Sequence, residues 1–255
     1  MDRKLHGWIP QAKDPRDLLY SMRRAPLVEI KAEVDLEEGM SPVEDQEDTS
    51  SCVGNMVVAL LEFLEIKNRC HFHDLSRMMV YYGARKLRGI ENEDGGCVIR
   101  DAFKWLAKYG TCHEETWTFT KDNLFKEPSS EAYTEAKNHT LIEFRALHSR
   151  DEILRCLSEG FPVGGGFTLF EGFTKPDKDG NVEMPKFKSE RPIGEHAMAI
   201  VGHKMSTERE KLRNSWGPKY GVRGYCFFPM DYVDRCGSDF WTARSMKEEE
   251  IELSA

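Results

Sequence analysis

Residues 46–64 read QEDTSSCVGNMVVALLEFL, a polar run that turns at Cys52 into a helical pattern. Beyond the cysteine, Val53, Met56, Val57, Leu60, Leu61 and Leu64 recur at steps of three and four, the spacing of a helix with one face in a core. Thr49, Ser50 and Ser51 supply side-chain oxygens suited to capping the free amides of a helix start. Cys52 is thereby placed in a first turn, where the helix dipole and unpaired N–H groups favour thiolate over thiol. The same pattern also accommodates a buried structural cysteine, which is what most free cysteines are.

An activated cysteine needs a base, and the base needs an orienting group. The far end of the chain offers both. Gly194 to His203 reads as a buried strand with His196 near its start, and Lys211-Leu212-Arg213 reads as a second strand that runs into Asn214-Ser215-Trp216-Gly217. Histidine and amide on neighbouring strand ends can face a helix that opens with Cys52.

These residues resemble the papain-like (C1) cysteine peptidases, whose order is Cys, His, Asn. His196 lies 196 − 52 = 144 positions after Cys52, inside the family interval of roughly 130–150, and Asn214, at 214 − 52 = 162, lies slightly beyond it. The Asn-Ser-Trp-Gly segment followed by Tyr220-Gly221 and Gly224-Tyr225 matches closely, as does His196 followed by an apolar run and Gly202. Gln46 stands 52 − 46 = 6 positions before Cys52, as the family's oxyanion-hole glutamine does. The match is looser at the nucleophile: Thr49 stands where the family has a cysteine, and Val53 where it has an aromatic residue. The chain is similar in style to prokaryotic or viral members that lack a long prodomain, because Gly7-Trp8-Ile9-Pro10 and Asp14-Pro15-Arg16-Asp17 resemble a segment of the mature enzyme in such relatives.

The resemblance implies an α+β, two-lobed fold. A helical lobe of about residues 37–116 would carry the nucleophile, a β-rich, barrel-like lobe of about 117–240 would carry histidine and asparagine, and a cleft would lie between them. Residues 1–36 would pack on this single catalytic domain of 1–255, with 246–255 a flexible tail. It further implies Cys52, His196, Asn214 and Gln46 as catalytic residues. Gly95, Gly96, Gly166, Glu195 and Trp216 would bind substrate or wall the site: the paired glycines let a substrate backbone approach, Gly166 leaves room for a bulky apolar side chain, Glu195 accepts a basic one, and Trp216 shields the histidine–asparagine bond. Peptide or protein is the implied substrate, with a proteinaceous inhibitor as a further partner. No cofactor or metal is implied.

Composition narrows the classes. A net charge of −8 without a basic cluster argues against nucleic acid as partner. Residues 1–10 lack the apolar stretch of a secretion signal, and no segment approaches a membrane span. Seven irregularly spaced cysteines read as reduced thiols of a cytoplasmic protein.

Along the chain, Leu27 to Ile30 reads as a strand. Cys70-His71-Phe72-His73 offers zinc-type ligands but has no second ligand pair at zinc-site spacing, so it reads as a loop. Helices are expected to open at Asp74-Leu75-Ser76 and end at Gly89, and to run from Val98 to Gly110, then a polar crossover over 116–139 and a helix from Ser149 to Gly160. Strands follow at 141–144, 161–170 and around Tyr225, with 171–192 either a flap or a disordered insertion. A cysteine peptidase is the leading function. An amidase, exopeptidase or acyltransferase with the same residues, or a non-enzymatic binding module of the same fold, remains open.

Overall fold

The computed structural model describes residues 5–23, 28–69 and 71–244. The expectations for Leu27, Cys70 and the tail 246–255 fall wholly or partly outside these residues. Helix α1 spans Cys52–Arg69 and starts at the cysteine. The periodic pattern predicts one apolar face, yet residues 52–65 are buried all round. The helix is central because its polar residues find partners inside: Glu62 Oε1 accepts the Leu75 amide at 3.0 Å, and Asn55 Nδ2 donates to Ser51 O at 3.1 Å. Of the hydroxyls expected to cap it, two turn to the loop, Thr49 Oγ1 donating to Gln46 O and Ser50 Oγ to Asp94 O, while Ser51 Oγ accepts the Asn55 side-chain amide of the first turn at 3.0 Å.

Helices α2 (Arg77–Lys86) and α3 (Ile99–Lys108) pack on α1 and on each other. Of the three residues expected to open α2, Ser76 is the cap, its Oγ accepting the Met79 amide at 3.2 Å. Gly89 and Gly110 follow the two helices with φ of +69° and +75°, a conformation that ends helices readily only where no Cβ is present. The crossover region holds one short α-helix, α4 (Ser130–Glu135), with 3₁₀ turns at Lys121–Asn123 and Ala136–Asn138. In α5 (Arg150–Ser158) Ser149 Oγ accepts the Glu152 amide, one half of the expected capping box, while the Glu152 carboxylate accepts the amide of His148 rather than that of Ser149.

The strands form one antiparallel sheet, β2 (Glu143–Leu147), β7 (Gly237–Arg244), β3 (Val163–Leu169), β4 (Gly194–Lys204), β5 (Arg209–Arg213) and β6 (Tyr225–Pro229) in spatial order. Short β1 (Glu33–Asp35) pairs with the far end of β4, where β3 no longer reaches. Helix α6 (Met230–Cys236) connects β6 to β7. The barrel-like expectation is corrected here: β2 and β6 are the two ends of the strand order, so among the described residues the sheet is open. The disordered-insertion reading of 171–192 also fails. Val182 N donates to Phe227 O and Phe227 N to Gly180 O, lacing this loop to β6.

Helix α1 packs against β4, so one core joins helices and sheet. Cys52, first residue of α1, and His196, third residue of β4, both lie in this seam and are fully buried.

Candidate active site

Cys52 Sγ accepts the amide of Ala197 at 3.3 Å, so the thiol sits against the residue that follows His196. Its own amide and that of Val53 also point to the sulfur. These donors favour thiolate, as the helix start predicts, but burial outweighs them. The thiol is pushed up to about 12 by desolvation, against the opposing pull of the Ala197, Val53 and Cys52 amides. The lowered thiol pKa read from the sequence is therefore not the state of this closed structure.

What closes it is the chain's own beginning. Gly7 N donates to Glu195 O at 3.0 Å, Cys97 N to Gly7 O at 3.1 Å, and Ile9 N to Cys97 O at 3.0 Å. Residues 5–9 thus lie as a strand between the Gly96–Cys97 segment and the start of β4. A Cβ at Gly96 would fall 2.5 Å from Gly7 O, and one at Gly166 would fall 2.0 Å from the Trp8 ring. The room that Gly166 leaves is filled by the Trp8 indole, whose Nε1 donates to Asp239 at 3.1 Å. Gly95 faces open space.

His196 Nε2 lies 2.7 Å from Asn214 Oδ1, which also accepts the Ser215 amide at 2.8 Å. The imidazole is walled by aromatic rings. Trp216 stands 5.3 Å from it, centroid to centroid, and Phe173 5.8 Å. Phe173 comes from the 171–192 loop, and its carbonyl accepts the Tyr220 hydroxyl at 2.8 Å. A hydrogen bond enclosed by apolar rings competes little with water, which strengthens its hold on the ring.

Gln46 is fully buried and locked at both ends of its amide. Ser215 Oγ donates to Oε1 at 2.7 Å, and Nε2 gives one proton to Thr49 O at 2.8 Å. An amide nitrogen carries two protons, so one remains to serve another acceptor. Glu195 lies on β4 beside His196, with its carboxylate accepting from Thr168 Oγ1 at 3.2 Å and its carbonyl engaged by Gly7. Burial raises its pKa.

Cys52, His196, Asn214, Gln46 and Trp216 are gathered in one place, Glu195 reaches it through its carbonyl on Gly7 while its carboxylate pairs with Thr168, and Gly96 and Gly166 meet it through residues 7 and 8. Sequence reasoning passes over Tyr81 and Asp94. Tyr81 OH donates to Asp94 Oδ1 at 2.6 Å and accepts the Gly96 amide at 3.1 Å, while Asp94 Oδ1 also accepts the Ser50 amide at 3.0 Å. The pair ties the glycine loop to the nucleophile loop. Neither residue carries a local signal, although Asp94 immediately precedes the glycines.

Comparison with known proteins gives a consistent answer. The sequence model of the papain family cysteine proteases matches residues 30–242. A peptidase C1-like protein of Acanthamoeba polyphaga mimivirus is 32% identical over 274 residues, covering 95% of this chain and 87% of the viral protein. Xylellain, a cysteine protease from Xylella fastidiosa, superimposes with a TM-score of 0.86 at 28% identity, covering 97% of this chain and 99% of its own. Digestive procathepsin L 3 of Tenebrio molitor shares the fold at a TM-score of 0.69 and 17% identity, over 89% of this chain and 73% of its own. With most of its length matched, this chain belongs to the papain family of cysteine proteases and is a cysteine-type peptidase.

Proposed function

We propose that the chain hydrolyses peptide bonds through Cys52, His196 and Asn214, with an acyl-enzyme intermediate. The observation that carries this is the placement of Cys52 Sγ on the Ala197 amide, next to an imidazole whose Nε2 is held by Asn214. Nδ1 is then the nitrogen that exchanges a proton with the sulfur. The Cys52 proton passes to His196, and sulfur bonds to the substrate carbonyl carbon. The oxyanion is met by the second Gln46 amide proton and the backbone N–H of Cys52. His196 returns the proton to the leaving nitrogen as the C–N bond breaks, leaving a thioester. Water then loses a proton to His196 and bonds to the acyl carbon as the C–S bond breaks. Asn214 orients the ring throughout.

In the closed state residues 5–9 cover Cys52, so at least Gly7 must shift off the sulfur before turnover. The position of the segment also supports the exopeptidase or amidase reading, in which it withdraws from Cys52 but stays as a wall across one end. A fluorogenic peptide blocked at both termini separates the two: cleavage at an internal bond means the segment clears the cleft, and activity only on terminal residues means it remains. Loss of all hydrolysis in Cys52→Ala, with an unchanged circular dichroism spectrum, tests the nucleophile. If purified protein, with the segment intact or removed, shows no Cys52-dependent hydrolysis, the binding-module reading takes its place.

For the compartment we propose the cytoplasm. The six described cysteines at 52, 97, 112, 156, 226 and 236 are all unpaired, in keeping with a reducing environment. No described helix is long and apolar enough to cross a membrane.

A further inference from the structure

Four of the eight histidines stand in one cluster at the other end of α1. Glu65 lies 65 − 52 = 13 positions after Cys52, about 20 Å along a helix at about 1.5 Å per residue. There His73 Nδ1 lies 3.0 Å from Glu65 Oε2, and His139 Nδ1 lies 2.8 Å from Glu65 Oε1. One ligand atom from each of the three residues lies within 4.8 Å of the others. Glu65 is 3% exposed and His139 4%. The His73 ring is 5.1 Å from that of His139, and the His113 ring is 4.9 Å from His139 and 5.3 Å from His73. His71 stands 5.2 Å from His73.

His113 supplies an independent sign. Its Nδ1 rests on Glu135 Oε1 at 2.5 Å, whereas its Nε2 is buried with no hydrogen-bond partner among the described residues. A carboxylate on one ring nitrogen holds the proton there and leaves the other nitrogen with a free lone pair, the usual posture of an imidazole that binds a metal.

We propose that Glu65, His73 and His139 form a zinc-type metal site, with the neighbouring His113 imidazole, whose ring stands 4.9 Å from that of His139, swinging in to complete it. The ligand types suit tetrahedral zinc, whose nitrogen and oxygen ligands lie at about 2.0–2.2 Å, so the three atoms, now within 4.8 Å of one another, would draw together on binding. The ion joins the end of α1, the α1–α2 loop and the segment before β2, tying the helices to the crossover. Spacing arguments miss it because His73 is paired in space with residues 8 positions before it and 66 after it, 73 − 65 and 139 − 73. The site lies outside the catalytic seam and acts by holding the fold.

The test uses full-length chain in a Cys52→Ala background, so that the active-site thiol does not bind metal. After chelation and dialysis, Zn(II) is titrated against a chromophoric chelator, and Co(II) is added for its spectrum. One tight equivalent per chain, a higher melting temperature, and tetrahedral cobalt bands without a thiolate charge-transfer band are expected. His73→Ala, His139→Ala and Glu65→Gln should each weaken binding at least about 100-fold, and Glu135→Gln about 10–100-fold through the His113 tautomer. His148→Ala should bind as the parent does. Absence of a stoichiometric site, a thiolate band, or unchanged affinity in the His73 and His139 variants overturns the proposal. Where a variant fails to fold without metal, the stoichiometry and cobalt spectrum of the parent decide.

Discussion

Gly7 lies directly on Cys52: a methyl group added at its Cα would fall 2.5 Å from Cys52 Sγ and 2.7 Å from the Ser50 carbonyl. Only a residue without a side chain can pass there, and Trp8 anchors the passage by filling the space over Gly166. Segment and thiol are therefore coupled. While residues 5–9 stay in place, Cys52 is dry and protonated, and their release returns it to a helix start where thiolate is favoured.

Trp8→Ala should loosen this closure. Truncating a buried tryptophan costs about 3–5 kcal/mol, and each 1.4 kcal/mol that falls on the docked segment opens it about tenfold more often. Brief iodoacetamide labelling, read by mass mapping, should show Cys52 modified at least about tenfold faster in the variant. An unchanged rate would mean that Trp8 does not hold the segment down. Preferential modification of Cys97 or Cys112, both buried, would count against Cys52 as the reactive thiol.

Gln46→Ala should lower kcat by roughly 10²–10³ with little change in KM, as removal of one oxyanion donor does elsewhere. The variant also frees Ser215 Oγ and Thr49 O, so its melting temperature is measured alongside. Normal turnover in the folded variant removes Gln46 from the mechanism.

The Asn214–His196 bond predicts the pH profile. With thiol and imidazole titrating as a coupled pair, kcat/KM should be bell-shaped, the acidic limb from thiolate formation and the alkaline limb from loss of the histidine proton. Asn214→Ala should lower kcat by loosening the ring while leaving Cys52 open to alkylation. Asn214→Asp places a carboxylate against the imidazolium and should move the alkaline limb upward. A limb that stays put in Asn214→Asp would disconnect residue 214 from the base.

Glu210, on β5, is fully buried with neither carboxyl oxygen hydrogen-bonded among the described residues. Burial raises its pKa from 4.5 to about 8, with repulsion from Asp234 adding to this and Arg150 opposing it. The folded state therefore holds a proton that the unfolded chain has released across that window. The group's contribution is fully present below the unfolded value and declines as pH rises through the folded one, by up to about 1.4 kcal/mol per pH unit. Glu210→Gln removes this dependence. Relative to the parent, it should melt higher at pH 8, with the difference shrinking toward pH 5. Parallel melting curves at the two pH values would sink the argument.

How much was legible from sequence follows from the range of each interaction. Helix starts and stops at Ser76, Gly89, Gly110, Ser149 and Gly160 are set by backbone groups within a turn of the residue concerned, and they stand where local chemistry puts them. The gathering of Cys52, His196, Asn214 and Gln46 was readable because each sits at an element end with a recognisable local pattern. Closure of the sheet was not readable, because strand alternation is silent on whether β2 and β6 meet.

Tertiary structure alone decided the state of the site. The helix start argues for a thiolate at Cys52, and burial under Gly7, 45 positions away (52 − 7), reverses that. Tyr81, Asp94 and Phe173 look ordinary along the chain and acquire roles only through partners in other elements. The same holds for Glu65, His73 and His139, which no spacing rule joins. Capping and periodicity are properties of a few consecutive residues, whereas desolvation, pocket filling and ligand convergence depend on surfaces brought together from distant parts of the chain, and these determine whether a reactive cysteine is exposed or held closed.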